Sequence, residues 1–507
     1  MKRKMEQSGG EQEQSGEKRD LMKKWKIFRK TGTARKKNTK NREFAVITYS
    51  FLGLFLCLMG YFGYFEQVKS EQFINNPYNK RQELFTQSVI RGEIYSADGV
   101  TLAETLTDDA GNETRKYPAG RIFAHVVGYS THGRTGIEAL ANFSLLRSNI
   151  FYMEKAVSDL QGEKSPGDDV TTTLNYEIQL RAFDALGSYD GAVVVMEPET
   201  GKILAMVSKP DFDPNTIAQD WDELVSDESS SVLVNRATQG LYPPGSTFKI
   251  FTTLEYIHEN PGYEDYSFYC DGEYTVGRKT IHCHGNKRHG QENLEDSFAE
   301  SCNSSYASLG LTLDIDRFAT LCEDMLFNTE LPTTLEYSKS SFVLAPGDSE
   351  SAVMETAIGQ GKTLVTPFHM ALVTSAIAND GVLMTPYVID HVNDNEGNLV
   401  RLYQPKEYGM LLSENDAAIL QQYMKAVVDE GTATKLKNDN YEVAGKTGSA
   451  EFSSSSDSTH SWFVGYAHKD GKPDIAVAII VEDSGIGSEY AVPIAQEIFD
   501  EYYKEEE

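Results

Sequence analysis

Three short strings, in a fixed order and far apart, constrain this chain more than any other feature: Ser246-Thr247-Phe248-Lys249, Ser301-Cys302-Asn303 and Lys446-Thr447-Gly448. The two serines stand 55 residues apart, and Lys446 lies 145 residues beyond the second. A fold that uses all three must bring a helix start, a loop and a late strand to one place. Each string alone is weak. The ordered triple carries the parts of an acylating serine site: a nucleophile, an amine base, a second hydroxyl with an amide, and a basic strand.

Serine needs a group to take its proton and donors to hold the oxyanion formed on attack. Ser246 follows Pro243-Pro244-Gly245 and opens an apolar-periodic run through Ile250, Phe251, Leu254 and Ile257. That places it at a helix N-terminus, where free N–H groups favour developing negative charge. Lys249, three residues on, lies over the same face within reach of the Ser246 hydroxyl. It serves as a base near neutral pH only if its pKa falls, and burial with a second cation, Lys446, pushes it that way. Without the other strings, Ser246 reads equally well as a helix cap.

Ser301 and Asn303, at i and i+2 in a tight loop, can point to one side, Ser301 to relay a proton and Asn303 to hold a substrate carbonyl. Taken alone they are ordinary turn residues. Lys446-Thr447-Gly448-Ser449 continues Val443 and Ala444 as a strand. Gly448 lets a ligand approach the backbone, and Thr447 and Ser449 offer donors to a carboxylate. The Ser449 N–H completes an oxyanion hole with that of Ser246.

This triple resembles that of the penicillin-binding proteins and serine β-lactamases. Arg91-Gly92-Glu93-Ile94 with Asp98-Gly99 and Leu102-Ala103, Gly191 to Val195 with Thr200-Gly201, Asp213-Pro214-Asn215, Gly359-Gln360-Gly361 and His460 to Gly465 narrow the resemblance. They are similar to stretches of the class B penicillin-binding proteins, of the penicillin-binding protein A or division type. The resemblance implies an α/β (α+β) transpeptidase fold, with an antiparallel sheet flanked by helices, an N-terminal pedestal and one transmembrane helix. It also implies a peptidoglycan D,D-transpeptidase that forms an acyl-serine at D-Ala-D-Ala and is blocked by β-lactams. Ser246, Lys249, Ser301, Asn303 and Lys446 are then catalytic, and Thr447, Gly448 and Ser449 bind substrate, with no cofactor.

About 100 residues separate the membrane segment from the catalytic domain, too few for the glycosyltransferase domain of class A enzymes. The expected partners are therefore stem peptides, β-lactams and a separate polytopic membrane glycosyltransferase with other wall-synthesis proteins. Two other readings share the motifs: a class D-like β-lactamase or membrane β-lactam sensor, and an inactive scaffold of a wall-synthesis complex.

Residues 44–65 carry no charge, and 22 residues span about 33 Å as a helix, enough to cross a bilayer. Before them stand 15 Lys and Arg against 6 Asp and Glu; beyond them stand 32 against 70, a net charge of −38. The positive-inside rule puts the N-terminus in the cytoplasm and the rest outside. The acidic exterior argues against nucleic acid as a partner. The basic leader, including Lys23-Lys24, Lys26, Arg29-Lys30 and Arg35-Lys36-Lys37, reads as a topology signal.

The expected divisions are a disordered cytoplasmic tail (1–43), the membrane helix (44–65), a pedestal or dimerisation-like domain (66–168) and the transpeptidase domain (169–507). Strands are expected on both sides of Glu197-Pro198-Glu199-Thr200-Gly201 and of Asp470-Gly471, so one sheet is built from both ends of the last domain. Thr366-Pro367 starts a helix with Met370, Val373 and Ile377 on its buried face, and Ala491 to Tyr503 forms a closing helix. Gly359-Gln360-Gly361-Lys362-Thr363 imitates a phosphate loop, but Thr356 stands where that pattern wants glycine, and nucleotide binding is rejected.

Of five cysteines, Cys57 lies in the apolar segment. Cys270 and Cys283 bracket a hairpin and could pair as a disulfide outside the cell. His282, His284 and His289 near Cys283 raise a zinc question. Strand alternation puts Cys283 opposite His282 and His284, so no metal is expected. Cys302 and Cys322 are expected as buried thiols.

Overall fold

The computed structural model of the chain describes residues 39–65, 88–150, 162–227, 230–451 and 459–505. The basic leader up to residue 38 and the first part of the expected pedestal, 66–87, lie outside the described residues. The chain divides into two units, residues 1–73 and 74–507. In the first, the helix Thr39–Tyr64 contains all but the last residue of the uncharged run, and its large apolar side chains from Phe44 to Tyr64 are exposed. Its stretch Arg42–Tyr64, with mean hydropathy 1.9, is long and apolar enough to cross a membrane.

The second unit is organised around a five-stranded antiparallel sheet. Strands β1 (Gly191–Glu197) and β2 (Lys202–Lys209) form a hairpin, and β3 (Glu442–Glu451), β4 (Thr459–Lys469) and β5 (Lys472–Val481) come from the far end of the chain. The order is β3-β4-β5-β1-β2, so Val477 of β5 pairs with Val195 of β1 and joins the two ends. The unbroken run Ala192 to Met196 is buried on both sides of the sheet, because helices cover both faces. Pro367–Ala378 packs on one face, and Tyr176–Leu186 with Ala491–Tyr503 on the other.

The Pro367–Ala378 helix begins as its sequence dictates. Thr366 caps it, its hydroxyl accepting from the His369 N–H at 3.1 Å, and proline occupies the first helical position. The burial differs from the expected single stripe: Leu372, Thr374 and Ser375 are buried along with Met370, Val373 and Ile377. An all-round buried helix has no amphipathic face to read.

A second sheet of six strands carries the N-terminal part. Its order is Leu399–Leu402, Ile389–Asn393, Asp169–Thr172, Ile94–Tyr95, Thr101–Thr107, Glu113–Lys116. The expected division between residues 168 and 169 falls inside this sheet, and two of its strands return from the middle of the catalytic region. Beside it Arg91 and Arg115 hold the fully buried Glu138, at 2.6 Å to Oε2 and 2.7 Å to Oε1. The arginine of the Arg91-Gly92 stretch therefore has a structural partner.

Candidate active site

Ser246 lies on a single 3-10 turn, Gly245–Phe248, that runs directly into the helix Lys249–Glu259. Lys249 therefore begins the helix one turn after Ser246. Two contacts pin the turn from outside. The Trp462 indole N–H donates to the Pro243 carbonyl at 3.0 Å, and the Gly245 N–H donates to the Gly359 carbonyl at 2.9 Å. Gly359 has φ +78°, and a Cβ there would stand 1.8 Å from the Gly245 carbonyl oxygen, so only glycine fits.

The Lys249 ammonium is fully buried and donates to three oxygens of the second motif: Ser301 O at 2.7 Å, Ser301 Oγ at 3.2 Å and Asn303 Oδ1 at 2.8 Å. Ser301 adopts φ +57°, an uncommon conformation for a side-chain-bearing residue, which turns its carbonyl and hydroxyl to one cation. Asn303 begins the helix Asn303–Gly310, and its amide donates to the His282 carbonyl at 3.0 Å while its oxygen faces Lys249. Burial lowers the Lys249 pKa to about 8, opposed by the nearby Cys302, Cys283 and Glu292. An amine with that pKa is partly neutral under physiological conditions.

The third motif lies on β3, with Lys446, Thr447, Gly448 and Ser449 opposite Val464, Phe463, Trp462 and Ser461 of β4. Gly448 faces the serine turn: a Cβ there would meet Thr247 Cγ2 at 3.0 Å and Pro244 O at 3.2 Å. Part of the reason for glycine is thus the close approach of the turn itself, beyond any room for ligand. Thr447 Oγ1 shares a 2.6 Å hydrogen bond with Thr432, and Ser449 Oγ accepts from the Gly487 N–H at 3.3 Å. Lys446 is fully buried beneath the strand, its Nζ 5.4 Å from the centre of the Phe298 ring. Burial, and then the charge of Lys249, push its pKa well below that of a free lysine. The two buried lysines thus disfavour each other's charge, as expected from sequence.

All eight residues picked out from sequence thus sit on the three segments that meet here. A profile described as "Penicillin binding protein transpeptidase domain" matches residues 191–504, more than half of the chain. The chain belongs to the penicillin-binding protein transpeptidase family. A second profile, "Penicillin binding protein A dimerisation domain", matches residues 91–170. The peptidoglycan D,D-transpeptidase PbpA of Mycolicibacterium smegmatis is 31% identical over 451 residues, covering 83% of this chain and 90% of its own.

Among solved structures, the D,D-transpeptidase domain of a peptidoglycan glycosyltransferase from Eggerthella lenta superposes with a TM-score of 0.74 at 33% identity. That match covers 82% of this chain and 98% of the other. Penicillin-binding protein A from M. tuberculosis, as its penicillin G acyl-enzyme complex, superposes at 0.73 with 27% identity, covering 82% of this chain and all of that one.

Sequence reasoning missed several residues of this penicillin-binding fold. Thr432 and Tyr306 offer no local signal: Thr432 reaches Thr447, and the Tyr306 ring lies 5.1 Å from Lys249 Nζ. Cys302 and Cys322 are buried thiols, as expected. Cys270 and Cys283 are free thiols with Sγ atoms 3.6 Å apart. They are joined by the buried Cys302 and the half-buried His289 in one group whose donor atoms lie within 4.8 Å of one another. His282 and His284 stay outside that group, as alternation requires, but His289 enters it from the following loop. Cys322 is buried away from the others.

Proposed function

We propose that this chain is a membrane-anchored peptidoglycan D,D-transpeptidase, inhibited covalently by β-lactams, with Ser246 as nucleophile. The observation that carries the reading is the buried Lys249 amine, one turn after Ser246, held by Ser301 and Asn303. Family membership and the acylated relative from M. tuberculosis support it.

Ser246 Oγ attacks the carbonyl of the penultimate D-alanine while Lys249 takes its proton. The oxyanion is held by the Ser246 and Ser449 N–H groups. Collapse of the tetrahedral species breaks the amide, and the departing D-alanine amine receives the proton through Ser301. An amine of a neighbouring stem then attacks the ester, forming the cross-link and freeing Ser246. Lys446 lies buried beneath β3, where Thr447 and Ser449 present hydroxyls to the donor carboxylate, and Asn303 orients the peptide.

The helix Thr39–Tyr64 anchors the chain, with the basic leader on the cytoplasmic side and the catalytic unit outside. A separate polytopic glycosyltransferase supplies the glycan strands. The test is incubation of the full chain in detergent with polymerised glycan bearing pentapeptide stems. Cross-linked muropeptides and free D-alanine are expected, and Ser246→Ala yields neither. Rapid turnover of penicillin without cross-linking would replace this reading with a β-lactamase.

A further inference from the structure

Residues 268–292 form a small appendage outside both large sheets. It consists of the two-stranded ribbon Phe268–Cys270 with Gly290–Glu292 and the hairpin Glu273–Val276 with Lys279–His282. Two-stranded pieces of this size are marginal on their own. Their common centre is not an apolar core but the side chains of Cys270, Cys283 and His289, together with Cys302 from the loop that carries Ser301 and Asn303. We propose that these four residues form a tetrahedral Cys3His zinc site that fastens the appendage to the Ser301–Asn303 loop.

The donor spacing fits. Zn–S bonds of about 2.3 Å and Zn–N bonds of about 2.0 Å set tetrahedral S···S and S···N edges near about 3.8 and about 3.5 Å. The structure has Cys270 Sγ to Cys283 Sγ at 3.6 Å, Cys283 Sγ to Cys302 Sγ at 3.8 Å and Cys270 Sγ to His289 Nδ1 at 3.4 Å. A disulfide would consume two of the thiols and strand the third beside the imidazole. Soft thiolates with one imidazole favour zinc over magnesium or calcium.

The surroundings suit bound thiolates. The Ser304 N–H and hydroxyl lie 3.5 and 3.2 Å from Cys283 Sγ, and the Ser305 N–H donates to Cys302 Sγ at 3.4 Å. Glu292, buried three residues beyond His289, borders the same cluster. Binding releases the thiol protons to solvent and involves no electron transfer.

The site would also position catalytic groups. Cys302 separates the two residues that hold Lys249, and Asn303 is tied to the appendage through the His282 carbonyl. Metal loss would loosen both holds on the amine.

The test is elemental analysis of the full chain, purified in detergent under reducing conditions, a readout independent of whether Ser246 is acylated. One equivalent of zinc is expected. After stripping with a chelator, added Co2+ is expected to give thiolate-to-cobalt charge transfer and the intense visible bands of tetrahedral cobalt. Cys283→Ser and His289→Ala are expected to lose the metal, and Cys322→Ser to keep it. Re-adding Zn2+ to the stripped chain is expected to restore both its thermal midpoint and its rate of acylation by penicillin. A reduced wild-type chain that holds no zinc and takes up neither Zn2+ nor Co2+ would overturn the proposal. So would undiminished zinc in both Cys283→Ser and His289→Ala, or a Cys270–Cys283 disulfide in the folded protein.

Discussion

Two buried charge clusters in this chain solve opposite problems. Beside the N-terminal sheet, Glu138 sits between Arg91 and Arg115 and also accepts from the Tyr117 hydroxyl at 3.2 Å. Burial alone would push the Glu138 carboxyl up, but the two guanidinium charges and their hydrogen bonds outweigh it and hold it below its ordinary range. In the catalytic region, Lys249 and Lys446 are two fully buried cations, and neither forms an ion pair among the described residues. Lys249 is held by neutral oxygens and Lys446 faces an aromatic ring, so both are drawn toward the uncharged amine. A buried carboxylate held by two guanidinium groups locks a scaffold, whereas charge buried without a counter-ion is ready to give up its proton.

The largest effect that would sharpen this contrast is expected at Lys249. Lys249→Met should slow β-lactam acylation by about 100- to 10,000-fold, the usual range for a lost general base. The thermal midpoint should hold or rise, because an unpaired buried cation is removed. In the wild type, acylation should climb as pH rises and level off above about 8, since the neutral amine is the active form. A rate independent of pH across that range would break the comparison on the catalytic side.

Glu138→Gln should act in the reverse sense. It leaves two buried guanidinium groups without a carboxylate and should cost about 3–5 kcal/mol of stability, while the folded fraction acylates at the normal rate. Chemical denaturation and penicillin labelling of the same samples separate the two. The sign with pH is the same as for Lys249, but the window lies in the acid range. Because the Glu138 pKa is lowered on folding, its contribution is complete above the ordinary carboxylate range and fades only as pH falls through the lowered value.

The smallest effect concerns the support of the third motif. Thr432→Val removes the hydrogen bond to Thr447 and should cost about 1 kcal/mol, with a few-fold slower acylation. A stopped-flow comparison with the wild type measures it.

What was legible in the sequence follows from what is local. The three motifs, the hairpins at both ends of the sheet and the capped helix at Pro367 each declare themselves within about a dozen residues. The return of Ile389–Asn393 and Leu399–Leu402 to the N-terminal sheet was not legible, because its partners lie more than two hundred residues earlier. The metal-type cluster was hidden differently. Alternation correctly removed His282 and His284. It could not anticipate that Gly285 and Asn286, both with positive φ, would turn the chain so that His289 comes back onto Cys270. The spacing of Ser301 to Asn303 suggested a pair of side chains aimed one way, and the left-handed Ser301 backbone is how that is achieved.

The account stands on one alcohol becoming an ester. Intact-mass and peptide mass spectrometry of the full chain after benzylpenicillin treatment tests it most directly. A lasting adduct of the drug's mass is predicted on the peptide containing Ser246, absent from Ser246→Ala. An unmodified Ser246 peptide, or an adduct that persists in Ser246→Ala, would contradict it.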